Sequence, residues 1–191
     1  RSSSRPDAAA IVGAAMPPRP PLDRQPTLRG PRLLVRPMRP DDLEALYAVA
    51  RDPAIWEQHP DRERWRRERF ERYVAEGLAS SGAVVVLTHD GEMIGASRYD
   101  RLDEAAGRVE IGWTFLARSR WGGPTNRELK DLMLDHAFAS VDVVVFRVGA
   151  GNLRSRRAVE KLGARLARIE DDPRFGDYAV YELRAADRTA A

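Results

Sequence analysis

The stretch RVEIGWTFLARSRWGGPTN, from Arg108 to Asn126, decides how the chain is expected to fold. Residues 108–116 follow an apolar strand pattern, a loop with two adjacent glycines comes next, and a helix pattern opens directly after the loop. A junction of this kind directs unpaired backbone N–H groups and the positive end of a helix dipole to one point, which suits a phosphate group. We therefore predict an anion-binding site at this junction.

The composition of the chain predicts one globular domain. Hydrophobic residues make up 43% of the 191 residues and charged residues 32%, a balance that suits a core covered by a polar surface. No apolar run approaches the roughly 20 residues of a membrane-spanning helix. Cysteine is absent, which excludes disulfides and thiolate chemistry and favours a cytoplasmic protein. His59, His89 and His136 lack the spacing of metal ligands, so we predict no metal site.

Positive charge is concentrated in the first 40 residues. The whole chain has a formal net charge of +3 and a pI of about 9.6. Residues 1–40 contain eight arginines and two aspartates, so residues 41–191 carry a net charge of −3. A basic nucleic-acid surface on the folded part is therefore not expected. Binding of nucleic acid through the arginine-rich N-terminal segment is kept as a separate alternative.

Composition also divides the chain into three parts. Residues 1–30 are rich in Pro, Ser, Ala and Arg without a period, which is typical of a disordered leader; Met16 lies within it and could be the natural start. Residues 31–185 carry the periodic patterns of a single domain. Residues 186–191 are expected to fray. We expect a monomer or a homodimer that does not associate with a membrane.

Hydrophobic periods predict a mixed α/β (α+β) sheet with helices on both faces. The predicted order is one strand, two helices, three strands, a helix, a strand, a helix and two final strands. The predicted strands are 32–37, 83–89, 92–99, 108–116, 143–148, 165–169 and 178–183, and the predicted helices begin near residues 41, 61, 125 and 155.

Three segments, taken in order, carry a resemblance to a known family. They are VEIGWTFL, RWGGPTNRE and NLRSRRAVEKLGA. With these segments, residues 32–184 resemble the GNAT superfamily of acyl-CoA-dependent N-acyltransferases, and the third segment is most similar to the branch of the ribosomal-protein N-terminal (Rim-type) acetyltransferases. The resemblance implies the GNAT fold, with about seven mostly antiparallel strands that splay apart between the fourth and the fifth.

The same resemblance implies an activity. It is transfer of an acetyl group from acetyl-CoA to a primary amine, on a protein N-terminus or a small molecule, by direct attack in a ternary complex. The alternative is a catalytically weak protein of the same fold that binds CoA or acts as a sensor. The partners implied are acetyl-CoA and an amine acceptor.

By resemblance, three groups of residues bind the cosubstrate: backbone groups of Thr114, Phe115 and Leu116 for the pantetheine arm; Trp121, Gly122, Gly123, Thr125 and Asn126 for the diphosphate; and Asn152, Arg154 and Arg157 for the arm and the adenosine phosphates. The loop departs from the family at Pro124, which stands where glycine is usual and would remove one N–H group. A register that starts at Arg120, or a simple tight turn, remains an alternative.

Glu110 and Ser155 are the candidate catalytic residues. An amine is protonated at neutral pH, so attack on a thioester needs a base. Because side chains alternate along a strand, Glu110 is expected to point to the other face of the sheet from Val109 and Ile111, the face of Gly112 and Thr114. The alternative role for this residue is a salt-bridged glutamate. The resemblance makes Ser155 the acid for the leaving thiolate, and a helix cap is its equal alternative.

Two further sets of predictions concern packing. A β-bulge is expected at Gly112, with packing under Trp113 as the alternative. Trp56 and Tyr99, with His59 and Trp65, are candidates for the acceptor pocket, and core or lid packing is the alternative for them. His136 lies on the apolar stripe of its helix, which favours a core histidine.

Overall fold

Eight strands form one open sheet in the computed structural model of the chain, which describes residues 19–188. The strands are β1 Leu28–Arg29, β2 Leu33–Pro37, β3 Ala83–Thr88, β4 Met93–Asp103, β5 Arg108–Leu116, β6 Val143–Gly149, β7 Arg165–Glu170 and β8 Tyr178–Arg184. Their order across the sheet is β1-β2-β3-β4-β5-β6-β8-β7. Only β5 and β6 are parallel; the other neighbours are antiparallel.

Within the described residues, four α-helices cover the two faces of this sheet: α1 Leu43–Ala50, α2 Arg67–Ala79, α3 Thr125–Phe138 and α4 Leu153–Glu160. Buried residues of α1 and α2 form one core with Val85, and buried residues of α3 and α4 form a second core with Val84 and Val86. Because alternate residues of a strand point to opposite faces, the two helix pairs lie on opposite sides of the sheet. No helix within residues 19–188 is long and apolar enough to cross a membrane.

The predicted fold class and element order are confirmed, with β1 as an additional edge strand. The second helix differs at its start, because α2 begins at Arg67 whereas the pattern predicts a start near Asp61. Asp61 is buried and forms ion pairs with Arg64 and Arg69. Arg66 is extended. These ion pairs hold residues 61–66 in turns before the helix.

Both ends of the domain reach further than composition predicts. Within the predicted leader, Leu22 is buried, Arg19 forms an ion pair of 2.6 Å with Asp142, and the His136 ring contacts the Asp23 carbonyl at 2.6 Å. The first 18 residues, including Met16, lie outside the described residues. At the other end, Arg188 pairs with Asp135 at 2.7 Å. Contacts with the domain, which composition cannot reveal, order both segments.

The side chain of Glu128 connects the first turn of α3 to the start of β2. Its Oε1 accepts hydrogen bonds from the backbone N–H groups of Arg32 (2.8 Å) and Leu33 (3.1 Å), and its Oε2 pairs with the Arg32 guanidinium at 3.1 Å. The Glu128 side chain is only 9% exposed. A single carboxylate therefore satisfies two backbone donors where the chain enters β2, and it fixes the position of the α3 N-terminus.

Replacement of this carboxylate tests its structural role. We expect Glu128→Ala to lower the free energy of unfolding by about 2 kcal/mol, because two N–H groups lose their acceptor. Glu128→Gln keeps an acceptor oxygen and should lose clearly less. Urea unfolding followed by circular dichroism measures both values. An alanine variant as stable as the glutamine variant would contradict this account.

Candidate active site

The sheet opens between β5 and β6. The two strands pair over only three residues, with Arg108, Val109 and Glu110 opposite Val143, Val144 and Val145. Beyond this point β5 continues to Leu116 and β6 to Gly149 without pairing to each other. On its outer edge β5 stays paired to β4, and β6 to β8. The result is a V-shaped cleft whose inner edges carry backbone groups free of ladder hydrogen bonds.

A β-bulge lies on the β5 side of this cleft. Ala96 pairs with Phe115 and Arg98 with Gly112, so Trp113 and Thr114 together oppose Ser97. The bulge therefore begins one residue after the predicted Gly112. Trp113 has a φ of +51°, a conformation that costs a bulky residue about 1–3 kcal/mol and persists where the surroundings hold it. The Tyr73 hydroxyl donates to the Trp113 carbonyl at 2.7 Å and helps to hold it.

The extra residue reverses the direction of the side chains that follow it. Val109 and Ile111 belong to the core under α3, whereas Phe115 belongs to the core under α1 and α2. Thr114 points to α3, where its Oγ1 accepts a hydrogen bond of 2.6 Å from Lys130. The prediction that Thr114 shares a face with Glu110 is therefore wrong, because strict alternation stops at the bulge.

Glu110 lies at the apex of the cleft, at the last residue where β5 pairs with β6. It is 4% exposed and lies on the opposite face of β5 from the Val109 and Ile111 core. Its Oε2 is 2.5 Å from Nη1 of Arg101. Burial raises the pKa of Glu110, and the nearby Arg101 opposes that rise. Glu110 therefore forms the salt bridge that was the alternative. It is also a buried carboxylate with an increased proton affinity, as a general base requires.

The glycine loop leads into α3 with its first N–H groups free. The first helix-closing hydrogen bond runs from the Glu128 N–H to the Pro124 carbonyl at 2.9 Å. Thr125, Asn126 and Arg127 form the first turn, whose N–H groups have no carbonyl partner within the helix. Gly122 has a φ of +71°, and a Cβ atom added to it or to Gly123 would meet, apart from its chain neighbours, no atom of residues 19–188 within 4 Å. This open, donor-lined loop fits a diphosphate.

Pro124 does not interrupt this set of donors. It is the N-cap residue of α3, with φ −76° and ψ −10°, and its carbonyl closes the first turn. The N–H that proline lacks lies before the first turn, so the helix keeps its three free donors. The N–H group that is lost at Pro124 therefore belongs to the N-cap residue and not to the first turn of α3.

The start of α4 brings the second predicted cluster to the β6 side of the cleft. Asn152 is buried and caps the helix, because its Oδ1 accepts a hydrogen bond of 3.1 Å from the Ser155 N–H. Asn152, not Ser155, is thus the N-cap. Ser155 is half-buried in the first turn and Arg157 is exposed. The cap explains the asparagine, and it leaves the hydroxyl of Ser155 without a capping role.

A stacked pair joins the two sides at the mouth of the cleft. The Arg154 guanidinium lies 3.8 Å from the centroid of the Trp121 ring. Trp121 Nε1 donates to the Leu116 carbonyl at 3.1 Å, and Arg154 donates to the Ile55 carbonyl at 3.2 Å. Residues that follow β5 and β6 are in this way held together across the opening.

The loop between α1 and α2 also reaches the β6 side. A Cβ atom added to Gly149 would lie 2.5 Å from Cγ of Pro60, so glycine is required for this close approach. Gln58 Oε1 accepts the Arg154 N–H at 3.2 Å. The loop therefore bounds the cleft on the face of Glu110.

The structure corrects the two predicted acceptor-binding residues. Trp56 is 2% exposed and donates to the Ala50 carbonyl at 2.7 Å, inside the core under α1 and α2. Tyr99 is fully buried on the other face and donates to the Met133 carbonyl at 2.8 Å. Both are core residues, the alternative that the sequence left open, because each buried ring finds its polar partner in the interior.

Three residues of the site were missed by the sequence analysis. Arg101 lies outside the predicted strands, yet it pairs with Glu110. Tyr73 was given no role in the site, yet its hydroxyl donates to the bulge. Lys130 is buried next to Thr114. A signal for Lys130 was present, because it is the one charged residue within the apolar stripe of Leu129, Met133 and Leu134. Within residues 19–188, no group of side chains could hold a metal ion.

Comparison with known families identifies the class of the protein. The family described as "Acetyltransferase (GNAT) domain" matches residues 32–165. Since this match covers most of the chain, the protein belongs to the GNAT acetyltransferase family, and it is an acyltransferase of the N-acetyltransferase class.

Solved structures agree with this fold. A GCN5-related N-acetyltransferase from Brucella melitensis superposes with a TM-score of 0.78 at 20% identity, covering 91% of this chain and 84% of that one. RimJ from Mycobacterium smegmatis, in complex with CoA-disulfide, has a TM-score of 0.71 at 19% identity and coverages of 89% and 93%. Spermidine N-acetyltransferase from Vibrio cholerae, in complex with CoA and spermine, has a TM-score of 0.66 at 14% identity and coverages of 83% and 98%.

The position of Pro124 leads to a test of the loop. We expect Pro124→Gly to leave the affinity for acetyl-CoA within about twofold, because the three first-turn donors remain. The same change should lower the free energy of unfolding by about 0.5–1 kcal/mol, since glycine increases the conformational entropy of the unfolded chain. Calorimetric titration and thermal unfolding measure the two effects. A large gain in affinity would show that the proline does restrict the loop.

Proposed function

We propose that the protein transfers the acetyl group of acetyl-CoA to a primary amine by direct attack in a ternary complex. The observation that carries the proposal is the cleft between β5 and β6, with a buried carboxylate at its apex and a donor-lined loop at its mouth. Membership of the GNAT family supplies the reaction class. The amine is on a protein N-terminus or a small molecule, and acetyl-CoA is the cosubstrate.

Binding of the cosubstrate is assigned by chemistry along the cleft. The N–H groups of Thr125, Asn126 and Arg127 would hold the diphosphate at the α3 N-terminus. The free edge of β5 from Thr114 to Leu116 would pair with the amides of the pantetheine arm, as an added strand does. Trp121, Gly122 and Gly123 would flank the diphosphate.

The N-terminal part of α4 would complete the binding site from the β6 side. Asn152 would lie along the cofactor arm, and Arg154 and Arg157 would contribute positive charge to the adenosine phosphates. Arg154 stacks on Trp121, and Arg157 is exposed.

Glu110 acts as the base in this proposal. It accepts the proton of the attacking amine, directly or through one water molecule, while N–H groups of the β5 edge stabilise the negative charge on the acetyl oxygen. The amine can approach Glu110 from the α1–α2 face. There Arg101 is about half exposed and can move aside, whereas Glu110 is buried.

The charges around Glu110 are balanced. Arg101 is paired with it, and Arg147 on β6, which acts on it from the same face of the sheet, is paired with Glu170. These charges therefore do not distinguish an acceptor with one amine from a polyamine such as spermine, which binds the relative from Vibrio cholerae.

Replacement of Glu110 tests the base. We expect Glu110→Gln to lower kcat by about 10²-fold or more, since the amide cannot accept the proton. Burial raises the pKa of the wild-type carboxyl, so kcat of the wild type should fall as the pH drops through that raised value and the base becomes protonated. The glutamine variant should lack this acidic limb. The measurement is release of free thiol from acetyl-CoA across a panel of amines.

Glu182→Gln is the matched control, because Glu182 is a carboxylate on β8 in an ion pair with Arg108. It should keep the wild-type kcat. Equal turnover of Glu110→Gln and wild type would remove Glu110 from the role of base. Binding of acetyl-CoA without turnover of any amine would favour the sensor alternative, and absence of binding would defeat both.

A further inference from the structure

A lysine is buried at the inner end of the cleft. Lys130 projects from α3, is 5% exposed, and its Nζ donates to Thr114 Oγ1 at 2.6 Å. The same Nζ lies 5.9 Å from the ring centroid of Phe146 on β6. Thr114 and Phe146 belong to the two strands just beyond the point where they separate. Lys130 therefore bridges the opening between β5 and β6 from the side of α3.

The Lys130 ammonium group has few hydrogen-bond acceptors among residues 19–188. Lys130 has three donor positions, and its partner within residues 19–188 is the Thr114 hydroxyl, which is shared with Ser97 at 2.8 Å. Burying a charge without an opposite charge costs several kcal/mol. Burial accordingly lowers the pKa of Lys130 to about 7, from an ordinary value of 10.5.

Among residues 19–188, no neighbouring charge offsets this burial. On α3 itself, Glu128 is paired with Arg32, and Asp131 is paired with Arg127. The strands that face Lys130 contribute uncharged groups: Ser97 from β4, Thr114 from β5 and Phe146 from β6. The charged residues of the same strands point to the opposite core and pair there: Arg98 with Asp100, Glu110 with Arg101, and Arg147 with Glu170.

The identity of the residue is informative. Lys130 and Lys161 are the only lysines among the 32 lysine and arginine residues of the chain. Arginine stays protonated at any accessible pH, whereas a buried lysine can gain and lose a proton near neutrality. A purely structural partner for one hydroxyl would not require burial of an unpaired ammonium, because an apolar residue could fill the position at lower cost.

We propose that Lys130 is a catalytic acid for the leaving thiol. As the amine nitrogen bonds to the acetyl carbon, the carbon–sulfur bond breaks and its electron pair stays on sulfur. Lys130 Nζ gives one proton to that sulfur, which leaves as the CoA thiol, and the neutral lysine regains a proton from water before the next turnover. This assignment rests on the proposed function and replaces Ser155 in the role of acid.

The proton affinities suit this step. A thiol has an ordinary pKa of about 8.5, which lies above that of Lys130, so transfer from the ammonium to the thiolate is downhill. Acid and base then act from opposite sides, because Lys130 faces the core under α3 whereas Glu110 faces the α1–α2 side. A proton removed on one face of the sheet is thus balanced by a proton donated on the other.

Replacement by methionine separates catalysis from structure. We expect Lys130→Met to lower kcat at least about tenfold, with the acetyl-CoA dissociation constant within about threefold of wild type. We also expect an unchanged or raised Tm, since methionine fills the buried position without a charge. As the pH rises through the pKa of Lys130, kcat of the wild type should decline, and the variant should lack this alkaline limb. Lys161→Met, at an exposed position, is the matched control and should keep the wild-type kcat.

A spectroscopic test does not depend on the acceptor. Because the chain has two lysines, labelling of lysine with ¹³C at Cε gives two NMR signals, which Lys161→Met assigns. We expect one signal to titrate near pH 7. Addition of CoA should shift that midpoint, because the acid role brings the thiol into hydrogen-bond contact with Lys130 Nζ. Desulfo-CoA, which has hydrogen in place of the thiol group, should leave it unchanged.

The outcomes separate the two proposals. A Lys130→Met variant with wild-type kcat, or one whose loss of activity follows a loss of Tm, overturns the acid role while the acetyltransferase function stands. Equal effects of CoA and desulfo-CoA on the Lys130 signal overturn it as well. If the wild type binds neither acetyl-CoA nor CoA, the proposed function fails and the acid role fails with it.

Discussion

The early separation of β5 and β6 is the constraint on which the rest of the site depends. These strands are joined through α3, and a crossover of this kind makes them parallel neighbours. They pair over three residues only, and β4 and β8 hold their outer edges beyond that point. The sheet thereby keeps its integrity while two inner edges stay free. Since α3 starts directly after β5, its N-terminal donors lie at the same end of the sheet as the open edges.

The bulge at Trp113 and Thr114 gives a single strand two different roles. Before the bulge, Glu110 faces the side of α1 and α2; after it, Thr114 faces α3 and contacts Lys130. A regular strand would have sent both side chains to the same face. The positive φ of Trp113, held in place by Tyr73, is the local strain that accompanies this change. The bulge thereby places the Thr114 hydroxyl against the buried Lys130, on the opposite face of the sheet from the buried Glu110.

Much of the fold could be predicted from the chain, because the signals involved are local. Period-two and period-3.6 patterns located the strands and helices, and the glycine loop located the start of α3 at Thr125. The orientation of Glu110 away from Val109 also follows from alternation. The predicted side-chain face of Thr114 was wrong because of the bulge, and Trp56 and Tyr99 are core residues because their side chains lie deeper than the pattern indicates. Both the bulge and the depth of a side chain depend on partners that are distant in sequence, such as Ser97 and Met133.

By itself, then, the sequence determined the order of the elements, the donor-lined junction from Arg108 to Asn126 and the family to which the chain belongs. The tertiary structure decided which side chains meet: the packing of residues 19–30 on the domain, the stacking of Arg154 on Trp121 across the cleft, and the burial of Lys130 without a counter-charge. The physical reason is that hydrogen-bonding period and turn chemistry act between neighbours in sequence. Burial and charge pairing are properties of the assembled cores.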